Sequence, residues 1–228
     1  MIAALIVLAL AGQAGGASSL AAFEQSLLAD PENLRVAADY RQVAIGAGDF
    51  DRPIEFLEKL SKRAGAGPNV FLSLALAYVD KVPTSGDIRR LYLGRDAMNA
   101  ATKSIERKPT PFAYYMRGQI NLYYNNVIFK RVPRGIEDLK KALELTDART
   151  PSVVLSRIYA ALGDGYWRLD DRTRAREVWK EGAARIPGDT ALARRLEGDS
   201  ETVRWVVIDA LSASTRVDTS LRGVVPSP

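Results

Sequence analysis

The chain has 228 residues, of which 47% are hydrophobic and 26% charged, with a net charge of +5 and neither cysteine nor histidine. These values are ordinary for a soluble globular protein. The missing residues exclude thiol nucleophiles, disulfides, zinc sites made of Cys or His, and any mechanism with a histidine base. A site built from carboxylates alone stays open. Because the basic residues are scattered among acidic ones, as on solvated helix faces, we expect no nucleic-acid partner.

The N-terminal segment is typical of an export signal. Residues 2–11 form an uninterrupted apolar run, followed by small residues that permit cleavage. The run is shorter than the roughly 20 residues that a membrane-spanning helix needs. Residues 1–17 are therefore predicted to be a signal peptide, and the protein to be exported to the periplasm. No Lys or Arg follows Met1, which leaves two alternatives: an uncleaved anchor that keeps the chain close to a membrane, or a buried first helix of the fold.

Three pairs of amphipathic helices are predicted next. In the first pair, Ala37, Tyr40 and Ala44 share one helical face. A turn near Gly48 separates them from Leu57 on the second helix. The second pair is defined by Phe71, Leu74, Ala75, Tyr78, Ala97, Ala101, Ser104 and Pro109, and the third by Tyr114, Gly118, Gly135, Leu139 and Ala142.

The most regular pair occupies residues 159–187. Aromatic, small and apolar residues recur there at intervals of three and four, which places them on one face of each helix. Asp170 and Asp171 interrupt the pattern and are suited to cap the second helix. The small residues allow the two backbones to approach closely. The residues that carry the pattern are Tyr159, Leu162, Gly163, Tyr166, Ala175, Trp179, Gly182 and Pro187.

This last pattern resembles the tetratricopeptide repeat (TPR), a 34-residue helix–turn–helix unit. The resemblance implies an all-α fold, a right-handed superhelix of about four helical hairpins over residues 20–188. One repeat cannot bury its own apolar face, so neighbouring pairs must stack. Residues 189–215 are predicted to form capping helices that begin at Asp189 and Asp199. The tail, 216–228, has no clear period and is predicted to lie along the surface or to be disordered.

Two features leave alternatives open. The turns of the second and third pairs are long, and such insertions either lie on a binding face or pack to lengthen the core. In the terminal helix, Trp205 and Ile208 lie off the apolar stripe, and we expect them to be buried rather than exposed for a partner. The apolar residues of the long turns, whose packing we expect, are Ile88, Leu91, Tyr92, Val127, Ile128 and Phe129.

In TPR proteins the first helix of each pair lines a concave groove. Carried onto this sequence, the groove positions of the third and fourth pairs combine aromatic residues with arginines, which are the residue types that anchor interfaces. The predicted partner-binding residues are Tyr115, Gln119, Tyr123, Arg157, Asp164, Trp167 and Arg168. The corresponding positions of the first two pairs include Arg35, Ala38, Gln42, Ile45, Asn69, Leu72, Leu76, Val79 and Asp80.

The resemblance implies a non-enzymatic adaptor that holds a protein or peptide segment in its groove, in the assembly or maturation of a periplasmic or envelope complex. No catalytic constellation, metal site or cofactor site is predicted. The alternative function is a periplasmic receptor for a small molecule that partners a solute transporter. An apolar cavity lined by Tyr115, Leu122, Tyr123 and Trp167 would favour that alternative. An enzyme that uses only carboxylates and lysines is the third reading.

Overall fold

The computed structural model describes residues 19–123, 126–209 and 219–225, and all regular structure in these ranges is helical. The predicted all-α class is therefore confirmed. The predicted signal peptide, 1–17, lies outside the described residues. The helices are α1 (19–29), α2 (Leu34–Ala47), α3 (Asp51–Ser61), α4 (Pro68–Lys81), α5 (Asp87–Arg107), α6 (Pro111–Tyr123), α7 (Asn126–Phe129), α8 (Val132–Glu144), α9 (Ser152–Arg168), α10 (Arg172–Arg185), α11 (Thr190–Glu197) and α12 (Ser200–Arg204).

The four predicted pairs are present as α2–α3, α4–α5, α6–α8 and α9–α10, each with direct contacts between its two helices. The described chain divides into two compact units. The first unit contains 19–107 together with 219–225, and the second contains 108–123 and 126–209. Among the described residues, none of the helices combines the length and apolar character needed to cross a bilayer.

The first unit has a continuous apolar core to which α1 to α5 all contribute. Helix α2 begins where the side chain of Asn33 accepts a hydrogen bond from Val36 N, and it ends at Gly48, which has a left-handed φ of 71°. Glycine adopts this conformation without strain, so the chain turns tightly into α3. The core consists of Leu20, Leu27, Ala37, Tyr40, Ala44, Ile54, Leu57, Leu60, Val70, Leu74, Ala75, Ala77, Ala100 and Ala101.

The start of α4 is capped by a carboxylate from elsewhere in the first unit. Pro68 is the first residue of α4, and the preceding Gly67 has no side chain to cap it. Glu32 takes that role: its Oε2 and Oε1 atoms accept hydrogen bonds from the backbone N–H groups of Asn69 (3.1 Å) and Val70 (3.3 Å). A Cβ atom on Gly67 would lie 2.5 Å from Cδ of Glu32. Glycine is needed here because the carboxylate occupies the space of a side chain.

An ion pair connects α1 to the first helix pair. Arg52 on α3 donates two hydrogen bonds to the carboxylate of Glu24 on α1, from Nε (2.7 Å) and Nη2 (3.1 Å). The hydroxyl of Tyr40 on α2 donates to the same carboxylate at 2.7 Å. Burial and the hydrogen bond to Glu24 raise the pKa of Tyr40 far above its ordinary value, so its hydroxyl stays protonated.

In the second unit, α6 and α8 approach closely because each has a glycine at the crossing. A Cβ on Gly118 would lie 2.9 Å from Cγ of Leu139, and a Cβ on Gly135 would lie 3.0 Å from the carbonyl oxygen of Gly118. Beside this crossing, Arg117 donates to both oxygens of the buried Asp138, at 2.6 Å from Nη2 and 3.0 Å from Nε. Two small residues therefore set the separation of the helices, and an ion pair connects them.

The fourth pair confirms the prediction that small residues allow close approach of α9 and α10. The indole of Trp179 packs directly over Gly163, and its Nε1 donates to the carbonyl of Ala160 at 3.2 Å. Tyr159 packs over Gly182 in the same way, with Cβ 2.6 Å from where a Cβ of residue 182 would lie. Both aromatic side chains are fully buried. The large residue of each contact therefore occupies the space that its glycine leaves.

The long turns are resolved into short helical segments. In the second pair, a 3-10 turn at Val82–Thr84 is followed by an N-terminal extension of α5, and in the third pair the insertion contains α7. The expectation that their apolar residues pack to lengthen the core is wrong for the five whose side chains are described. The exposed residues are Ile88, Leu91, Tyr92, Ile128 and Phe129.

Helices α11 and α12 follow the last pair, and α12 continues as a π-helical turn over Trp205–Asp209. The predicted caps are confirmed, since Asp171, Asp189 and Asp199 each accept a hydrogen bond from the backbone N–H three residues later. The expected burial of Trp205 is wrong: its side chain is 55% exposed. The neighbouring stripe of Val203 and Val207 is buried, so Trp205 lies on the opposite side.

Candidate functional site

The seven predicted partner-binding residues all lie in the second unit, on two helices that contact each other. Tyr115, Gln119 and Tyr123 belong to α6. The other four belong to α9, at residues 157, 164, 167 and 168. The resemblance to TPR proteins predicted that these first helices of their pairs would contribute to one surface. The structure brings the residues into two different environments, one buried and one at a surface cleft.

The buried environment contains Tyr115, which is 4% exposed. Its hydroxyl accepts a hydrogen bond from Nε2 of Gln119 at 3.3 Å. Burial raises the pKa of Tyr115, and the nearby positive charge of Arg157 partly opposes that shift. Tyr115, Gln119 and Arg157 therefore lie together, but the phenol ring is part of the packing rather than of an accessible surface. Tyr123, at the end of α6, is partly buried.

The carboxylate of Asp164 is bound by an arginine of the capping helix α11. Arg195 donates from Nε to Oδ1 at 2.6 Å and from Nη2 to Oδ2 at 2.7 Å. Burial lowers the pKa of Arg195, but the attraction of Asp164 outweighs burial and raises the pKa above its ordinary value. Sequence reasoning missed Arg195. The available signal was its position three residues after Leu192, which places it on the packing side of α11.

Trp167 and Arg168 line a surface cleft of about 580 Å³ between the α9–α10 turn and α12. The guanidinium of Arg172 stacks on the Trp167 ring, with Cζ 3.5 Å from the ring centroid. The Trp167 indole also packs against Trp179 of α10, with ring centroids 5.8 Å apart. The complete lining consists of Trp167, Arg168, Asp170, Arg172, Arg176, Ser200, Arg204 and Ile208.

The cleft is strongly cationic, with four arginines and one carboxylate in its lining. Arg172 donates from Nε to Asp170 at 2.9 Å, and Arg176 donates from Nη1 to the carbonyl of Leu196 at 3.4 Å. Burial lowers the pKa of Arg168, and the negative charge of Asp164 partly offsets this effect. An arginine keeps its charge at neutral pH even so. The lining therefore combines guanidinium donors with the indole of Trp167, on which Arg172 stacks.

The chemistry of these residues is that of binding. Guanidinium groups form paired hydrogen bonds with carboxylates and phosphates. An aromatic ring beside them supplies a rigid apolar contact. In the described part of the chain, no group of three or more acidic side chains is placed to hold a metal ion. The buried carboxylates Asp138 and Asp164 are each bound by an arginine.

No protein-family model and no curated protein matches this sequence. Several solved structures have a similar fold, and two of them illustrate the likeness. One is TTC0263, described as a thermophilic TPR protein of Thermus thermophilus: it has a TM-score of 0.59 and 18% identity, with 83% of this chain and 93% of that chain covered. The other is MamA, with a TM-score of 0.52 and 20% identity, covering 78% of this chain and 91% of that one. The four helix pairs and their likeness to these structures show that this chain has the tetratricopeptide-repeat fold.

Proposed function

We propose that this protein is a non-enzymatic interaction scaffold that holds an acidic segment of a partner protein. The observation that carries the proposal is the cleft of the second unit, in which four arginines surround Trp167. TPR folds are associated with protein binding, but a fold alone does not define a function. The charge and shape of this cleft supply the more specific argument.

A carboxylate-rich segment suits the cleft for two reasons. The lining has an excess of three positive charges, from Arg168, Arg172, Arg176 and Arg204 against Asp170. Arginines at protein interfaces commonly bind carboxylates through two hydrogen bonds at once. Second, Trp167 is held by Arg172 on one side, and so it presents a pre-organised ring against which a side chain of the partner can pack.

The small-molecule alternative is less well supported. Sites for small ligands are mostly apolar with a few polar groups, whereas four of the eight residues that line this cleft are arginines. Two of the residues proposed to line an apolar cavity, Tyr115 and Leu122, are buried in the packing of α6. A small dicarboxylate nevertheless shares the chemistry of an acidic segment, so the experiment below includes one.

We also propose that the protein is exported and works in an envelope complex. The apolar run at 2–11 and the small residues after it support this proposal. Fractionation of the native host and mass spectrometry of the mature N-terminus would test it. A mature chain that begins near residue 18 in the periplasmic fraction is the expected result. A cytoplasmic chain that retains Met1 would contradict it.

The binding proposal is tested by fluorescence anisotropy with a labelled Asp/Glu-rich decapeptide and its Asn/Gln counterpart. We expect the protein to bind only the acidic peptide, and the double variant Arg172→Gln, Arg176→Gln to bind it about tenfold or more weakly, which is the effect of losing about 1.4 kcal/mol. The matched control is Arg134→Gln with Arg149→Gln, two exposed arginines of the same unit. This control removes the same charge and is expected to leave binding unchanged.

Three results would overturn the proposal. The protein could bind neither peptide, or it could bind both equally. The control variant could also lose as much affinity as the cleft variant, which would show that binding follows net charge alone. Succinate that competes at the same concentration as the peptide would favour the small-molecule alternative, because a segment that makes contacts along the whole cleft binds more tightly than one dicarboxylate.

A further inference from the structure

In the first unit, residues of α2 and α4 (the α2–α4 face) hold a segment from the C-terminal part of the same chain. We call residues 219–225 the return segment, because they belong to the first unit although they follow the second unit in sequence. Arg41 donates from Nη2 to the carbonyl of Thr219 at 2.7 Å. Arg35 donates from Nη2 to the carbonyls of Leu221 (3.2 Å) and Val225 (2.9 Å). The sequence predicts that the tail, 216–228, lies along the surface or is disordered; in the part that the structure describes, Thr219 and Leu221 are buried and Arg222 is exposed.

The contact is highly buried, and most but not all of its polar groups are bonded, since the Nε atoms of Arg35 and Arg41 have no hydrogen-bond partner. Arg41 is 1% exposed, and its Nη1 donates to Asp80 of α4 at 2.7 Å. The hydroxyl of Thr219 donates to the other oxygen of the same carboxylate. A buried ion pair of this kind is stabilising only when its remaining donors and acceptors are also bonded. The return segment supplies two of those partners, the carbonyl of Thr219 for Arg41 Nη2 and the hydroxyl of Thr219 for Asp80, while Nε of Arg41 stays without one.

Recognition depends mainly on groups that many peptides possess. Three of the four hydrogen bonds are accepted by backbone carbonyls of the return segment. Two features are specific: the hydroxyl of Thr219 on Asp80, and the side chain of Leu221, which is 0% exposed. Arg222, the next residue, is exposed. The α2–α4 face therefore recognises a residue with a hydroxyl group followed two positions later by leucine. Recognition does not require a charged side chain in the segment.

The return segment does not form a helix that pairs with its neighbours. It is bound through hydrogen bonds from Arg35 and Arg41. It contains only turns, with the N–H groups of Val224 and Val225 bonded to the carbonyl of Leu221. The residues that bind it, Arg35 and Asp80, are among those predicted from the TPR resemblance to face a groove. The first pairs thus use predicted groove positions to bind a segment of their own chain.

We propose that the α2–α4 face is a second ligand site, for a neutral protein segment with the pattern Ser/Thr-x-Leu, and that the return segment is its exchangeable occupant. A partner segment of this kind binds when the return segment detaches. This site differs from the cationic cleft in location and in ligand, because the return segment contains no acidic residue. Its test is therefore independent of the function proposed above.

The experiment uses a labelled peptide of residues 217–228 and a shortened chain that ends at Arg216. We expect the peptide to bind the shortened chain and to bind the full chain about tenfold or more weakly, because in the full chain the site is free only in the minor, detached state. Thr219→Val or Leu221→Asp in the peptide should weaken binding to the shortened chain about tenfold or more, while Arg222→Gln should not. Substitutions in the peptide leave the folding of the protein unaffected.

The proposal is overturned if the shortened chain is folded by circular dichroism and does not bind the peptide, or if the full chain binds it equally well. If removal of residues 217–228 unfolds the chain, the full chain with Leu221→Asp replaces it. This variant keeps every other residue but weakens the occupant, so it should bind the unsubstituted peptide more tightly than the unaltered chain does. Equal binding by the two full-length chains would also overturn the proposal.

Discussion

The guanidinium of Arg195 on α11 binds both carboxylate oxygens of Asp164 on α9, at 2.6 and 2.7 Å. The two side chains are 12% and 10% exposed, so water screens the pair only weakly. The contact joins the capping helix to the first helix of the fourth pair. Asp164 was predicted from the sequence to face a partner, and in the structure its ligand is a residue of the same chain.

Removing one member of this pair should destabilise the protein strongly. We expect Arg195→Ala to lower the free energy of unfolding by about 3–5 kcal/mol, because it leaves the carboxylate of Asp164 buried without its partner. Urea unfolding followed by circular dichroism measures the effect. The double variant Asp164→Leu, Arg195→Leu removes both charges and should recover most of the loss. A double variant as unstable as the single one would show that the pair itself is not the cause.

The contact between Gly163 and Trp179 predicts a second effect. A Cβ at residue 163 would lie within 2.7 Å of three atoms of the indole, Nε1, Cδ1 and Cε2. Gly163→Ala should therefore destabilise the chain by about 1–3 kcal/mol, as overpacking does. The control is Gly46→Ala in α2, where no atom beyond the neighbouring residues and the local helix backbone lies within 4 Å of the added Cβ. We expect Gly46→Ala to be neutral or stabilising by up to about 1 kcal/mol, since alanine favours a helix over glycine.

The carboxylate cap on α4 is also testable. Glu32→Ala should lower the free energy of unfolding by about 0.5–2 kcal/mol, the usual effect of losing a helix cap. Gly67→Ala should have an effect of the same sign, since its Cβ would displace the Glu32 carboxylate. Combining the two substitutions should destabilise less than the sum of their separate effects, because both act on one contact. Glu137→Ala, an exposed glutamate of α8, is expected to change little.

The Glu24–Arg52 pair predicts a dependence of stability on pH. The hydrogen bonds from Arg52 hold the pKa of Glu24 below its ordinary value of 4.5. A lowered pKa in the folded state stabilises the protein above the unfolded-state pKa, and this stabilisation is lost as the pH falls through the folded-state pKa. Glu24→Gln should therefore be less stable than the wild type at pH 7, and the difference should decrease below about pH 4.5.

The measurement for this prediction is the free energy of unfolding in urea at several values between pH 7 and pH 3. Glu55→Gln, an exposed glutamate of α3, serves as the control and should match the wild type throughout. If the difference between Glu24→Gln and the wild type stays constant with pH, the ionised carboxylate of Glu24 is not the origin of the stabilisation.

The fourth pair could be predicted from the sequence because its contacts are local. Gly163 and Trp179 are both in one repeat, and helical spacing places each of them on the apolar face of its own helix. The bond between Asp164 and Arg195 joins residues 31 positions apart and depends on how α11 packs, which no spacing rule specifies. The position of the return segment is harder still to predict, because no periodicity marks the segment. Its hydrogen-bond partners lie between 139 and 190 residues away in the sequence. Trp205 was misplaced because a large aromatic residue favours burial only when a surface is available to cover it.

The return segment is the last part of the first unit to be synthesised, and it follows the whole of the second unit. Thr219 follows Asp80 by 139 residues, and ribosomes add about 5–20 residues per second, so the segment is synthesised roughly 7–28 s after the face that it covers. The α2–α4 face is thus present early without its intramolecular ligand. The entropic cost of closing a loop grows only with the logarithm of its length. Closing this long loop therefore costs only slightly more than closing a shorter one. A partner segment that meets the nascent chain therefore encounters the site before any competitor exists.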